Sequence, residues 1–223
     1  MEFRPLDKRA KAAVIALVAV ALLDVVAVWS DWDRYDLLGR IVSGGGYTFD
    51  EASASDNRET AIGLLQLLAL IVGAVFFIRW FLDAYRNVNA LGGARNHTER
   101  WAGWAWFVPF LNLWRPKQIA NEIWRASDPE HPSELPSTTS PVWGALTLWW
   151  LFWLASNFAS NVATRLAFNG DTAEGLRNST AAYLVGDSID IVAAVLAIVV
   201  IQSITARQGE RAAKRAVAVP AQP

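Results

Sequence analysis

The sequence predicts an all-α integral membrane protein, a four-helix bundle, and three observations predict it. Four apolar stretches, at 12–29, 62–82, 142–162 and 181–204, each match the roughly 20 residues a helix needs to cross ~30 Å of hydrocarbon. Apolar residues make up 53% of the 223 and charged residues only 18%, too apolar a balance for an ordinary soluble domain. The charges also gather between the apolar stretches, as they do in a small polytopic membrane protein.

The first stretch follows a basic leader (Arg4, Lys8, Arg9, Lys11) and has the look of a secretory signal. No small-x-small cleavage site follows it, however, and it is longer than a signal core, so it reads as a retained span. The basic residues then alternate. The leader, the loop after the second span (Arg86, Arg95, Arg100, Arg115, Lys117, Arg125) and the tail (Arg207, Arg211, Lys214, Arg215) are rich in them. The first loop is acidic, with seven carboxylates against Arg34, Arg40 and Arg58, and the third carries only Arg165 and Arg177. The positive-inside rule places both termini and the second loop in the cytoplasm of a cell, the plasma membrane being the site. One transmembrane domain over 1–205 is expected, followed by a basic, then Ala/Pro-rich tail at 206–223, disordered beyond its first turns.

Within the first loop, Ser43 and Gly44–Gly46 predict a loose segment. Asp56 and Glu59 resemble a capping pair at the start of the second helix. The third loop, 169–178, is short, so the last two spans form an antiparallel hairpin. Gly63 and the Gly73–Ala74 pair are candidates for close helix approach.

The second loop carries an aromatic run, 101–114, with Trp101, Trp104, Trp106 and Trp114. It is too short to span and is interrupted by Pro109, which predicts an interfacial segment. Pro116 suits the first turn of a helix, and Ile119, Ile123 and Trp124 recur at helical spacing over 117–126. An amphipathic helix on the inner membrane face is expected there, as an anchor, a gate or a docking platform.

The run WFVPFLNLWRPKQIANEIWRAS at 106–127 resembles the signature of an uncharacterised bacterial membrane family, catalogued as domain of unknown function 4328. The run FIRWFLDAYRNVNALG at 77–92 and the end of the fourth span, ITARQ at 204–208, resemble it too. The resemblance implies a four-helix membrane protein and no particular activity. The dominance of Arg over Lys agrees with a high-GC bacterial source.

Ionisable groups at membrane depth cost about 2.5–3.5 kcal/mol on insertion scales, so each needs a reason. Asp24, Gln66, Asn157, Asn161, Arg165, Asp187 and Asp190 fall at one depth, toward the outer leaflet, with Ser156 and Ser160 beside them. Helical spacing puts Asn157 with Asn161, and Asp187 with Asp190, on common faces. Arg165 is expected to pair with Asp187 or Asp190 across the hairpin, leaving the cluster structural. Alternatively the cluster is a polar site for a cation, a proton or a small polar ligand.

Other chemistry is absent from the sequence. There is no cysteine, and His97 and His131 are too few for a haem or histidine-rich metal site, so no cofactor and no metal is expected. Gly44–Gly46 lacks the Lys-Ser/Thr of a phosphate loop. A net charge of −1 argues against a nucleic-acid partner. The expected partners are the lipid bilayer and either further copies of the chain or another membrane protein. The residues favour a non-enzymatic envelope or scaffold protein. The alternative is a small transporter or channel component built on the outer polar cluster.

Overall fold

A computed structural model describes residues 2–130 and 141–218. His131, the rest of 131–140 and the last residues of the tail, 219–223, lie outside the described residues. The described chain is helical, with no strand: α1 (Asp7–Val42), α2 (Phe49–Ala90), α3 (Glu99–Trp104), a 3-10 turn (Leu111–Leu113), α4 (Arg115–Ala126), α5 (Gly144–Phe168) and α6 (Ala173–Ala218).

Three helices, α1, α2 and α6, are long and apolar enough to cross a membrane. At 25 residues α5 is long enough, at about 37 Å, but it is not among the three. Trp149, Trp150 and Trp153, with the Ser/Asn pairs at 156–157 and 160–161, lower its hydropathy.

The helices run well past the apolar stretches. With 36, 42 and 46 residues, α1, α2 and α6 measure about 54, 63 and 69 Å, roughly twice the hydrocarbon thickness. The loose first loop therefore shrinks to 43–48. Helix α1 ends in a Schellman motif: Gly44, at φ 77°, donates to Ile41 O and Gly45 donates to Arg40 O. Helix α2 begins thirteen residues before its apolar stretch, at Phe49. The capping pair is Thr48 with Glu51, three residues apart, and Thr48 Oγ1 accepts from Glu51 N at 3.1 Å. Asp56 and Glu59 lie inside the helix and do not start it. Helix α2 closes with the same glycine device at Gly92 (φ 76°).

The tail also departs from expectation. Helix α6 continues through Ala218 instead of losing structure soon after residue 206. The third loop is only 169–172.

By compactness the chain divides into two units, one formed by residues 1–16, 73–150 and 196–223 and the other by 17–72 and 151–195. In the first unit, Phe77, Phe81, Trp106, Trp149 and Trp150 pack with ring centroids 5.4–6.4 Å apart. Below this aromatic core lies a polar one. Asp83, 3% exposed, is met by Arg4, Arg9 and Arg86. Asn87 accepts from Arg4 N (2.9 Å) and donates to Arg4 O (2.8 Å) and Gln208 Oε1 (2.9 Å); Gln208 in turn donates to Ala84 O (3.0 Å). Tyr85 Oη donates to Glu122 Oε2 (2.8 Å), and Trp80 Nε1 to Thr205 Oγ1 (3.1 Å). The leader and the tail are thus both tied to the end of α2. Arg211 donates to Asp128 O and Arg215 to Leu91 O, which explains why the tail stays helical.

Candidate functional site

In the second unit, α1 and α2 form an antiparallel pair in constant register. Asp24 lies opposite Gln66, Ser30 opposite Glu59, Asp33 opposite Arg58, Arg34 opposite Asp56 and Arg40 opposite Glu51. Asp24 and Asp31 are seven residues apart on α1, as Glu59 and Gln66 are on α2. Two helical turns return a side chain to the same face. The facing surfaces therefore carry two polar layers, about 10 Å apart.

The inner layer centres on Gln66. Its Nε2 donates both to Asp24 Oδ1 (3.0 Å) and to Asp187 Oδ2 (3.3 Å). Asp190, one turn further along α6, is within hydrogen-bonding reach of Ser156 and of Asp24. Asp24 is 3% exposed, and its second oxygen, Oδ2, is buried with no partner. Among the described residues, no arginine or lysine forms an ion pair with Asp24, Asp187 or Asp190.

Arg165 does not pair with Asp187 or Asp190, contrary to expectation. The register of α5 against α6 explains this: Thr164 meets Tyr183, Ser160 meets Gly186 and Ser156 meets Asp190. Arg165 is therefore level with Tyr183, more than a turn from either aspartate, and it points outward, exposed. Asn157 and Asn161 are also exposed. Asn157 follows the buried Ser156 by one residue, and Asn161 follows Ser160, which meets Gly186; the one-residue step swings each amide about 100° off the surface that faces α6. Each amide satisfies itself on its own helix, Asn157 Nδ2 to Trp153 O (2.7 Å) and Asn161 Nδ2 to Asn157 O (2.8 Å). The close helix approach is at Gly186, where an added Cβ would meet Ser160 and Ala159 at 3.5–3.6 Å; Gly63 faces open space.

The outer layer holds residues that were not singled out from the sequence. Asp31 is 4% exposed, its Oδ2 is buried without a partner, and its carboxyl is within hydrogen-bonding reach of Glu59. Glu59 Oε1 also accepts from Ser30 Oγ (2.5 Å), which accepts from Arg58 Nε (2.8 Å). The two nearby arginines are engaged elsewhere, Arg58 with Asp33 and Arg34 with Asp56, each at 2.6 Å. The seven-residue spacings Asp24–Asp31 and Glu59–Gln66 are the signal that could have found this layer, and the reading of the sequence did not use them. A cleft of about 300 Å³ lies further along α1, lined by Trp32, Tyr35, Arg40 and Arg177; neither layer's carboxyls line it.

The aromatic run is not one continuous helix. It is broken into the six-residue α3, a turn and the 3-10 turn. Phe110 at φ 64° makes the sharp reversal after Pro109. Trp106 enters the aromatic core, and Trp101 lies under the Arg115 guanidinium, 5.8 Å from its centroid. Trp104, Phe107, Pro109, Phe110, Leu113 and Trp114 remain exposed. Helix α4 is amphipathic as expected, with Pro116 in its first turn and Ile119, Ala120, Ile123 and Trp124 buried. Trp124 stacks on Trp143 at 5.1 Å and carries Arg207 on its ring at 4.2 Å. Lys117 donates to Asn121 Oδ1 (2.5 Å), and burial, with a smaller push from Arg125, lowers its ammonium to about 8.

The family described as domain of unknown function (DUF4328) matches residues 45–206. The chain belongs to this family. Comparison with curated proteins found no match, and comparison with solved structures found none either. The match includes Glu59, Gln66, Asp187 and Asp190, whereas Asp24 and Asp31 precede it.

Chemically, the second unit offers carboxyls in contact with one another, an amide that bridges two of them, and two buried oxygens still to be satisfied. Such a set suits a proton or a small cation, which would supply what no basic side chain supplies.

Proposed function

We propose that the protein is a four-span membrane protein of the plasma membrane, with both termini and the 86–140 segment in the cytoplasm, and that its carboxyl cluster around Asp24 binds a proton or small cation as part of a small transporter or channel component. In this reading α5 is the fourth span, despite its tryptophans and amides. The observation that carries the reading is the Asp24 carboxyl: buried, one oxygen unpartnered, ringed by Gln66, Asp187 and Asp190, with no basic side chain paired to the group. A purely structural cluster would be neutralised from within, and Arg165, expected to do so, points outward.

The test is thermal unfolding of the purified protein across pH and across added Na⁺, K⁺ and Ca²⁺, in wild type, Asp24→Asn and Asp190→Asn. A wild-type response to pH or to a cation, lost in both variants, supports the reading. No response in wild type to either overturns it.

A second reading, a non-enzymatic envelope scaffold acting through other membrane proteins or further copies of itself, is favoured by the exposed apolar surface of the aromatic run. Trp104, Phe107 and Phe110 are each about two-thirds exposed or more, a surface of the kind that meets a protein or a membrane. The thermal experiment separates the two readings, since a scaffold has no need of a titrating cluster.

A further inference from the structure

We infer that Asp31 and Glu59 form a second proton-binding pair, which shares one proton between its carboxyls and makes the carboxyl cluster a two-layer proton site. This rests on the cluster reading above and narrows its ligand to the proton.

The geometry of the outer pair carries the inference. Asp31 and Glu59 face each other across α1 and α2 within hydrogen-bonding reach. Two ionised carboxylates have no hydrogen to share, and so close together they repel; one proton between them turns the contact into a hydrogen bond. Asp31 Oδ2 is buried, in a residue 4% exposed, and no donor of the protein reaches it. A proton on the pair satisfies it, and nothing else in the layer can. Ser30 gives its only hydrogen to Glu59 Oε1, Arg58 is spent on Ser30 and Asp33, and Arg34 on Asp56. The charged groups bearing on Asp31 are Glu59, Asp187 and Arg34. Those bearing on Asp187 are Asp190 and Glu59. Asp187 therefore lies in the field of both layers and links them.

The same facts favour a proton over a metal ion. Among the described residues, no three or more carboxylate and histidine groups are placed to hold a metal. A carboxyl pair, by contrast, binds a proton with no ligand beyond itself. When the pair fills, an O–H bond forms on one carboxyl and the proton comes from bulk water or buffer, whose conjugate base remains in solution; emptying reverses this.

The experiment is difference infrared spectroscopy of the reconstituted full chain between alkaline and acidic pH. Protonated carboxyl C=O bands are counted in wild type, Asp31→Asn, Glu59→Gln, Asp24→Asn and Asp190→Asn. Asp31→Asn and Glu59→Gln should each remove the same one protonated carboxyl. Each should leave the cluster's titration midpoint in place, because an amide next to one carboxylate carries the same charge as a carboxyl–carboxylate pair. If the pair is instead doubly ionised, neither variant loses a band and both move the cluster's midpoint to lower pH, which overturns the inference. Loss of no band in Asp24→Asn and Asp190→Asn, with the outer pair's band present, would count against the cluster reading alone. Addition of Na⁺ or Ca²⁺ at constant pH should leave the bands unchanged; their disappearance would assign both layers to the metal.

Discussion

Asn87→Ala is the sharpest test of how the first unit is held together. Asn87 is 1% exposed and makes three hydrogen bonds, two to the backbone of Arg4 and one to Gln208, which is fully buried. Truncation strands Gln208 Oε1 without a donor, at about 1–3 kcal/mol. The two Arg4 bonds are part-buried, so water replaces them at about 0.5–1.5 kcal/mol each. The expected loss is therefore about 2–6 kcal/mol, large against the roughly 5–15 kcal/mol that holds a typical domain. Unfolding of the purified protein in a fixed micelle, followed by circular dichroism against denaturant, measures it. The partner experiment is the double variant Asn87→Leu with Gln208→Leu. Replacing both ends of a buried bond removes the stranded group, so the double variant should lose less than the sum of its singles, by about 1–3 kcal/mol. A single-variant loss below about 1 kcal/mol, or strict additivity, would refute the bridge as an energetic unit.

Truncation after Ala206 should destabilise the protein, since it removes Gln208, the Arg207 contact with Trp124 and the Arg211 bond to Asp128 O; an unchanged unfolding midpoint would show the helical tail to be idle. Arg165→Ala should lie within about 0.5 kcal/mol of wild type, the range of ordinary surface changes, in the same denaturation assay. Lys117→Met should abolish a pH dependence: the folded ammonium titrates at about 8 and the unfolded one at 10.5, so the unfolded chain binds more protons between these values and wild-type stability rises with pH across that window. The chain has no cysteine, so Gly46→Cys and Arg215→Cys can be labelled cleanly from outside intact cells; label at 46 and none at 215 is expected, and the reverse would invert the topology.

Hydropathy located the helices but not their ends, because it reports the solvent of a segment and not its backbone. Residues 30–42 are helical and carry Trp32, Tyr35, Leu37 and Leu38 among aspartates and arginines, which read as a loop on a membrane scale. The glycines at 44–46 and the Thr48–Glu51 pair marked the true ends, and the Asp56–Glu59 pair competed with them because both fit the same spacing. The candidate site divided along a similar line. Depth along a helix follows from counting residues, so Asp24, Gln66, Asp187 and Asp190 were found together. Direction around the helix needs the register of its neighbour. Asn157 and Asn161 have the right depth and the wrong azimuth, and Arg165 is more than a turn away as well as turned outward.

The residues that resemble the family signature and the carboxyl layers belong to different parts of the molecule. Trp80, Asp83, Tyr85, Asn87 and Glu122 fall within the matched residues 45–206, Gln208 lies just past them, and all of them bond within the first unit. Their work is to close buried polar groups and to tie the end of α2 to α4 and α6. The carboxyl layers are separable from it. Glu59, Gln66, Asp187 and Asp190 fall within the matched residues 45–206, while Asp24 and Asp31 precede them on α1. A chain with the same signature but an apolar first helix would keep every bond of the first unit and lose the two buried, unpartnered oxygens on which proton binding rests.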